Sequence, residues 1–168
     1  LGGAINIITK QDKKNYLDVS YGIGSFHTHK ADLNAQFVEP KTGLIIRPTV
    51  GVNYSKNDYR MKDVQMRDES GDNFIYGNPK RFHDDYFSLL GQIEVGVANR
   101  SWADAFFVSA SYSKTDKELQ TGSVQDKVYG MAEKNSDAWN ISAHYQKRNF
   151  ILKNMQLNAA LSHTWITH

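Results

Sequence analysis

Apolar and polar residues alternate with a period of two along most of this 168-residue chain, and this pattern limits the possible folds more than any other feature. In the first alternating segment, Leu17, Val19 and Ile23 face one side while Asp18 and Ser20 face the other. Successive side chains of a β-strand point to opposite faces, so this period predicts strands. Seven such segments cover residues 17–24, 30–37, 44–55, 87–97, 106–113, 139–146 and 155–162. No stretch has a competing helical period, and the chain is predicted to be all-β.

The polar faces of these segments distinguish two kinds of all-β protein. They contain mainly Ser, Asn, Gln, Thr and Gly, while most Lys, Asp and Glu lie in the connections. A soluble sandwich or barrel exposes its polar face to water, and that face is typically rich in Lys and Glu. Small uncharged polar residues instead suit a barrel with lipid outside and a wet or plugged lumen inside. A single alternating face does not say which side is wet, so a soluble β-barrel or sandwich stays open.

The lengths of the connections indicate the order of the strands. Short connections span residues 39–43, 99–104 and 147–154, and they alternate with long ones over residues 56–85 and 115–137. In a membrane barrel the short turns lie on one side and the long loops on the other. The connection at residues 25–28 is short, although it falls on the long side. We therefore predict an antiparallel up-and-down meander of about seven strands, paired in sequence order and forming part of a large transmembrane β-barrel.

Aromatic residues on the apolar faces lie near the strand ends, as in the two aromatic belts of membrane barrels. Pro48 is an exception to the pattern because it lies in the middle of a segment and cannot donate a ladder hydrogen bond. A bulge or an edge position would accommodate it. The belt residues at the long-loop end are Tyr54, Phe87, Tyr112, Trp139 and Trp165, and those at the other end are Phe37, Phe106 and Tyr145.

The opening ten residues carry the most specific signal, a Gly-Gly turn that leads into a short apolar strand and a basic linker: Leu1-Gly2-Gly3-Ala4-Ile5-Asn6-Ile7-Ile8-Thr9-Lys10. This string resembles the end of the plug domain of TonB-dependent outer-membrane receptors. The resemblance implies that residues 1–14 are the end of a plug and its linker, and that 15–168 are the N-terminal, incomplete portion of a barrel of about 22 strands. The chain would then be a piece of a transporter cut at both ends. Residues 3–9 should be detached from the first hairpin.

The same resemblance implies the function and the partners. The parent protein would lie in the outer membrane of a Gram-negative bacterium. It would import a ferric siderophore, haem, cobalamin or an oligosaccharide, driven by a TonB-type energy-coupling protein that binds an upstream segment. A passive porin-like barrel is a second possibility, which the opening residues disfavour because a porin has no plug before its first strand. The outward apolar face should contact the lipid bilayer, and the isolated chain should need detergent or self-associate.

Composition excludes several other functions. The net charge of +2 gives no argument for nucleic acid, and the absence of cysteine excludes disulfides and thiolate metal sites. Mean hydropathy is −0.57 and no apolar run is long enough for a membrane helix. His27 and His29 form a pair near a strand end, but no third ligand is apparent nearby, so we predict no metal site and no cofactor. No nucleophile–base or paired-carboxylate arrangement stands out, and no enzyme is expected.

The connection over residues 56–85 is the best candidate for ligand recognition. A turn signal at residues 69–73, flanked by alternating apolar residues, predicts a hairpin within it. Aromatic rings together with Arg suit an anionic iron chelate or a sugar ring. An equally good interpretation is that such exposed loops are simply long and mixed. The candidates are Tyr59, Arg60, Arg67, Phe74, Tyr76, Arg81 and His83, and Arg47 and His144 are predicted to face the lumen.

Overall fold

The computed structural model describes residues 14–121 and 127–167, which form strands and turns without a helix. Seven strands pair in the order β1-β2-β3-β6-β7-β8-β9, and β4 and β5 form a separate hairpin. The predicted antiparallel meander in sequence order is therefore confirmed. The strands are β1 (Tyr16–Gly24), β2 (Thr28–Glu39), β3 (Leu44–Ser55), β4 (Val64–Arg67), β5 (Phe74–Gly77), β6 (Tyr86–Ala98), β7 (Ala105–Thr121), β8 (Val128–Arg148) and β9 (Gln156–Thr167).

The sheet is an open single layer, with β1 and β9 at its edges. The ladder aligns the predicted apolar positions on one face, where Leu17 and Ile93 are 67% and 50% exposed. Within the described ranges, no large side chain is fully buried, and the buried apolar residues are Ala35, Ile45, Met61 and Ala103. The strands are thus held by their ladders and by cross-strand pairs rather than by an enclosed core. The predicted strand at residues 3–9 lies outside the described residues, and no described helix is long and apolar enough to cross a membrane.

The polar face is linked by hydrogen bonds between neighbouring strands. Ser109 and Ser142 hydroxyls lie 2.7 Å apart across β7 and β8, and Asn140 donates its amide to the Thr164 hydroxyl at 2.8 Å across β8 and β9. Small polar residues on adjacent strands therefore satisfy one another. Near the short β2–β3 turn, Ile45 interrupts the alternation on this face and is buried.

The short turns form as predicted. Gly43 has φ +64° and donates its N–H to the Glu39 carbonyl at 2.7 Å, so it occupies the left-handed turn position that glycine favours. Asn99 has φ +55° at the start of the β6–β7 turn. Between β1 and β2, Phe26 and His27 both have positive φ, at 60° and 56°. The last ladder pair is Gly24 with Thr28, so the connection has three residues, and two of them are left-handed.

The predicted long connection over residues 115–137 was wrong. β7 continues to Thr121 and β8 begins at Val128, so most of this segment is paired strand. Charged residues face each other there, including the Lys117–Lys134 and Glu118–Glu133 pairs. The sequence appeared loop-like because these positions are polar on both faces. Backbone pairing continues nevertheless, since each added residue extends a ladder that is already formed.

Pro48 lies in an interior strand, between β2 and β6, so of the two proposed accommodations the edge position does not apply. The β2–β3 ladder pairs Asn34 with Thr49 and Phe37 with Ile46, and the two positions between them are unpaired. The register is the same on both sides of this gap, so no residue is inserted as a bulge. The sheet tolerates the missing Pro48 donor as a local interruption of the ladder on that side.

The predicted hairpin in the connection over residues 56–85 is confirmed, with Val64 opposite Gly77 and Arg67 opposite Phe74. Its turn is organised by Asp68. The Asp68 carboxylate accepts hydrogen bonds from the Ser70 hydroxyl at 2.7 Å, from the Asn73 side-chain amide at 2.9 Å and from the Asp72 backbone N–H at 3.1 Å. These contacts hold the pKa of Asp68 at about 2, well below its ordinary value.

Candidate functional site

The connection between β3 and β6 folds back onto the ends of β7 and β8, and we call this region the loop-side end of the sheet. Asp84 lies at its centre and is only 8% exposed. Its carboxylate is paired with two cations: Arg81 Nε lies 2.7 Å from Oδ2, and Lys117 Nζ contacts Oδ1. Lys117 Nζ also donates to the Asp84 carbonyl at 2.6 Å. These contacts fix the chain just before β6 against β7.

Arg81 is held inside this region rather than presented to solvent. Its N–H donates to the Tyr59 carbonyl at 2.9 Å, and its guanidinium carbon lies 5.8 Å from the Tyr59 ring centre. The ring of Phe26, from the β1–β2 turn, contacts Tyr59 with centroids 5.5 Å apart. Arg81 therefore joins the two halves of the connection, and an ion pair with Asp84 occupies its charge. Arg81 therefore offers no free positive charge to an anionic ligand.

His83 lies beside two carboxylates that come from neighbouring strands. Its Nδ1 is 3.3 Å from Glu118 Oε1, and its Nε2 is 3.2 Å from the Ala132 carbonyl. Glu118 and Glu133 are direct cross-strand partners on one face of β7 and β8. One ligating atom from each of His83, Glu118 and Glu133 lies within 4.8 Å of the others.

Glu118 is fixed by backbone contacts to the start of β6. Its Oε2 accepts the Asp85 N–H at 2.9 Å, and its own N–H donates to the Asp85 carbonyl at 3.0 Å. The Asp85 carboxylate in turn accepts the Tyr54 hydroxyl at 2.9 Å. An open cavity of about 290 Å³ lies beside these groups. Its lining includes Tyr54, Asp85, Lys117, Glu118, Glu133 and Asn135.

A second cavity, of about 240 Å³, lies between the β4–β5 hairpin and the ends of β7 and β8. Apolar side chains dominate its wall, and two cationic residues border it. A concave apolar site with a few polar groups is the usual form of a small-molecule site. The wall includes Met61, Val64, Met66, Phe82 and Val128, together with Arg67 and Lys80.

The seven residues predicted for recognition do not form one site. Tyr59, Arg81 and His83 come together at the loop-side end. Arg67 stacks on Phe74 of the hairpin, with its guanidinium carbon 4.5 Å from the ring centre.

The remaining two candidates are solvent-exposed. Arg60 forms an isolated bridge with Lys80, and Tyr76 is 73% exposed on β5. Lys80 also pairs with Asp58 at 2.8 Å, and this hydrogen bond lowers the pKa of Asp58.

The two residues predicted to face the lumen both lie on the polar face, but their surroundings differ. Arg47 donates from Nη1 to Glu94 Oε1 at 2.6 Å and from Nε to Gln36 Oε1 at 2.7 Å. Its guanidinium carbon also lies 4.7 Å from the centre of the Phe107 ring. His144 is exposed, and no described side chain hydrogen bonds to it. Arg47 thus pairs with its neighbours on β2 and β6.

Four residues of the loop-side end were missed from the sequence: Asp84, Lys117, Glu118 and Glu133. Asp84 lies in the connection over residues 56–85 but was not among its candidates, and the other three fell in the segment assigned to a loop. Periodicity gave no signal for this part of β7, because residues 113–118 are polar or charged on both faces.

Comparison of the chain with protein-family models, with curated proteins and with solved structures found no match.

Proposed function

We propose that this chain is part of a TonB-dependent receptor in the outer membrane of a Gram-negative bacterium. In this proposal the seven-stranded sheet is a portion of the barrel wall, with its apolar face toward the lipid bilayer and its polar face toward the lumen. The resemblance of residues 1–10 to the end of a plug domain supports the choice of this family. The TonB-type energy-coupling protein would act through an upstream segment of the parent protein.

The observation that carries this proposal is the exposure of one continuous apolar face on a single-layer sheet. Ile93, Val108, Ile141 and Leu161 come from four successive strands and are each more than 40% exposed. Exposed apolar patches of this extent mark a membrane or a protein interface. The opposite face carries small polar groups that bond across the strands, as expected for a lumen-facing surface. Two rows of aromatic residues on the apolar face suit the lipid–water boundaries.

The loop-side end is the proposed ligand-facing side. The apolar cavity beside the β4–β5 hairpin has cationic neighbours in Arg67 and Lys80. This chemistry suits an aromatic, anionic nutrient such as a ferric siderophore or haem, and an oligosaccharide would use the exposed Tyr76 and Phe74 rings instead. Cobalamin is a further member of the same class of large, scarce nutrients.

Lipid exposure of the apolar face can be tested with two adjacent positions on β6. The chain has no cysteine, so Ile93→Cys and Gln92→Cys each give one labelling site. These residues are neighbours on opposite faces, and both are exposed. After reconstitution into vesicles, a fluorophore at position 93 should be quenched by lipid-bound nitroxide and spared by aqueous iodide. The label at position 92 should show the reverse.

Two outcomes would contradict the proposal. A label at 93 that is shielded from both quenchers, in a chain that stays monomeric without detergent, would favour the soluble barrel. Equal quenching by iodide at both positions would place both faces in water.

To separate a receptor from a passive porin, uptake of a ferric siderophore by cells that express the parent protein should stop when the coupling protein is deleted. Uptake that persists would indicate a porin-like channel.

A further inference from the structure

Three potential metal ligands converge at the loop-side end from separate parts of the chain. His83 precedes β6, Glu118 lies on β7 and Glu133 lies on β8, and one ligating atom from each lies within 4.8 Å of the others. We propose that these side chains bind a divalent transition-metal ion, with Zn²⁺ as the reference ion. The proposal is independent of whether the sheet lies in a membrane.

The orientation of His83 supplies the first argument. Its Nε2 faces the Ala132 carbonyl at 3.2 Å, and a carbonyl only accepts, so Nε2 carries a proton. A histidine ligand to a metal usually donates its second ring N–H to a carbonyl or carboxylate, which fixes the tautomer and the ring plane. In neutral His83 this contact leaves the lone pair on Nδ1, the atom that faces Glu118.

The contact between His83 and Glu118 supplies the second argument. An Nδ1 lone pair and a carboxylate oxygen 3.3 Å apart repel each other unless a cation or a proton lies between them. Nitrogen and oxygen ligands of zinc lie about 2.0–2.2 Å from the metal, so neighbouring ligands of a tetrahedral ion are about 3.3–3.5 Å apart. The observed separation therefore equals one edge of a zinc tetrahedron.

Charge provides the third argument. Glu118 and Glu133 are directly opposed in the ladder, and like charges in this arrangement destabilise a sheet. Within residues 14–121 and 127–167, no hydrogen bond or ion pair reaches the Glu133 carboxylate, which is exposed. A divalent cation between the two carboxylates would remove the repulsion and neutralise both charges.

The surrounding groups complete the site. The Asp85 N–H holds Glu118 Oε2 at 2.9 Å, which leaves Oε1 directed at His83 as the ligating atom. Ligating carboxylates are commonly fixed in this way by a second hydrogen bond. Three protein ligands leave the fourth position of a tetrahedral ion for water or an oxygen donor, as in open zinc sites. The cavity of about 290 Å³, lined by both glutamates, would hold that fourth ligand.

Zinc titration of the full chain in detergent, after chelator treatment, tests the site by competition with a chromophoric chelator. We expect one saturable Zn²⁺ per chain. Glu133→Gln should weaken the affinity by about tenfold or more, because even loss of an outer-shell partner costs 10–100-fold. Glu69→Gln is the matched control, since it removes the same charge from an exposed hairpin position. The zinc affinity of the Glu69→Gln variant should equal that of the unmodified chain.

A second measurement identifies the ligating atom. Addition of Zn²⁺ to chain labelled with ¹⁵N at histidine should shift the Nδ1 resonance of His83 and leave that of His144 unchanged. Absence of stoichiometric binding would overturn the proposal, as would equal affinities for the Glu133→Gln variant and the unmodified chain. The first result would mean that these side chains form no metal site, and the second that zinc binds elsewhere on the chain.

Discussion

Arg47 and Glu94 are direct cross-strand partners on the polar face, and their side chains meet at 2.6 Å. The same guanidinium donates to Gln36 on β2 and lies over the Phe107 ring on β7. One side chain on β3 therefore joins four strands of the sheet. In a single layer without an enclosed core, such lateral contacts replace the packing that a second layer would supply.

Replacement of Arg47 by Lys should destabilise the sheet by about 1–2 kcal/mol, since hydrogen bonds to charged groups contribute about 1.5–3 kcal/mol and this pair is partly exposed to solvent. Lysine keeps the charge but lacks the planar fork that reaches Glu94 and Gln36 together and stacks on Phe107. Urea denaturation in detergent measures the change. Arg60→Lys, at an exposed position, should leave the midpoint unchanged. A similar shift in both variants would mean that the Arg47 contacts contribute nothing specific.

Gly96 should tolerate no side chain, whereas Gly91 on the same strand should accept one. A Cβ at Gly96 would lie 2.2 Å from the Phe106 carbonyl oxygen and 2.4 Å from the Phe107 ring, and a Cβ at Gly91 would meet nothing within 4 Å. Overpacking typically costs about 1–3 kcal/mol. We expect Gly96→Ala to lower the free energy of unfolding by at least that amount and Gly91→Ala to be neutral or slightly stabilising. Equal effects would show that the Gly96 contact relaxes freely.

The turn of the β4–β5 hairpin should lose stability in acid. Hydrogen bonds from Asn73 and Ser70 lower the pKa of Asp68 from 3.8 to about 2. Because the folded pKa is the lower one, the stabilisation is fully present above pH 3.8 and is lost as the pH falls through about 2. Amide exchange at Asn73, followed by NMR, should accelerate across this interval. In Asp68→Asn, which does not titrate, the same interval should produce no transition.

The strand order and the apolar face could be predicted from the sequence because a two-residue period determines which face each side chain occupies. Leu17 and Ile23 could be assigned by alternation alone, and Gly43 by its place in a turn. The extension of β7 through Lys117 and Glu118 was missed because charged residues on both faces give no hydrophobic signal. That part of β7 forms a strand because it pairs with β8. The periodicity of a single segment does not reveal such a partner.

The recognition residues were only partly predictable for a related reason. His83 and Arg81 were chosen for their chemistry, but their partners Glu118 and Asp84 depend on how the connection over residues 56–85 folds back onto β7. This contact joins residues about 35 positions apart, and no local spacing pattern encodes it. Arg67 and Phe74 are brought together by the predicted hairpin, whereas the burial of Arg81 depends on three-dimensional contacts with Tyr59 and Met61.

Glu133→Gln should change stability in opposite directions with and without zinc. Without metal, the substitution removes the repulsion between Glu118 and Glu133. Stability should therefore rise by about 0.5 kcal/mol or less, because exposed charges are screened and cross-strand pairs contribute only fractions of a kcal/mol. With zinc at 100 times its dissociation constant, the unmodified chain should gain about 2.7 kcal/mol, and the variant should gain much less. Denaturation in chelator and in excess zinc measures both effects, at low ionic strength where the repulsion is least screened.

A variant that is less stable in chelator would show that Glu133 makes a stabilising contact. A gain from zinc that is equal in both chains would show that the metal binds elsewhere.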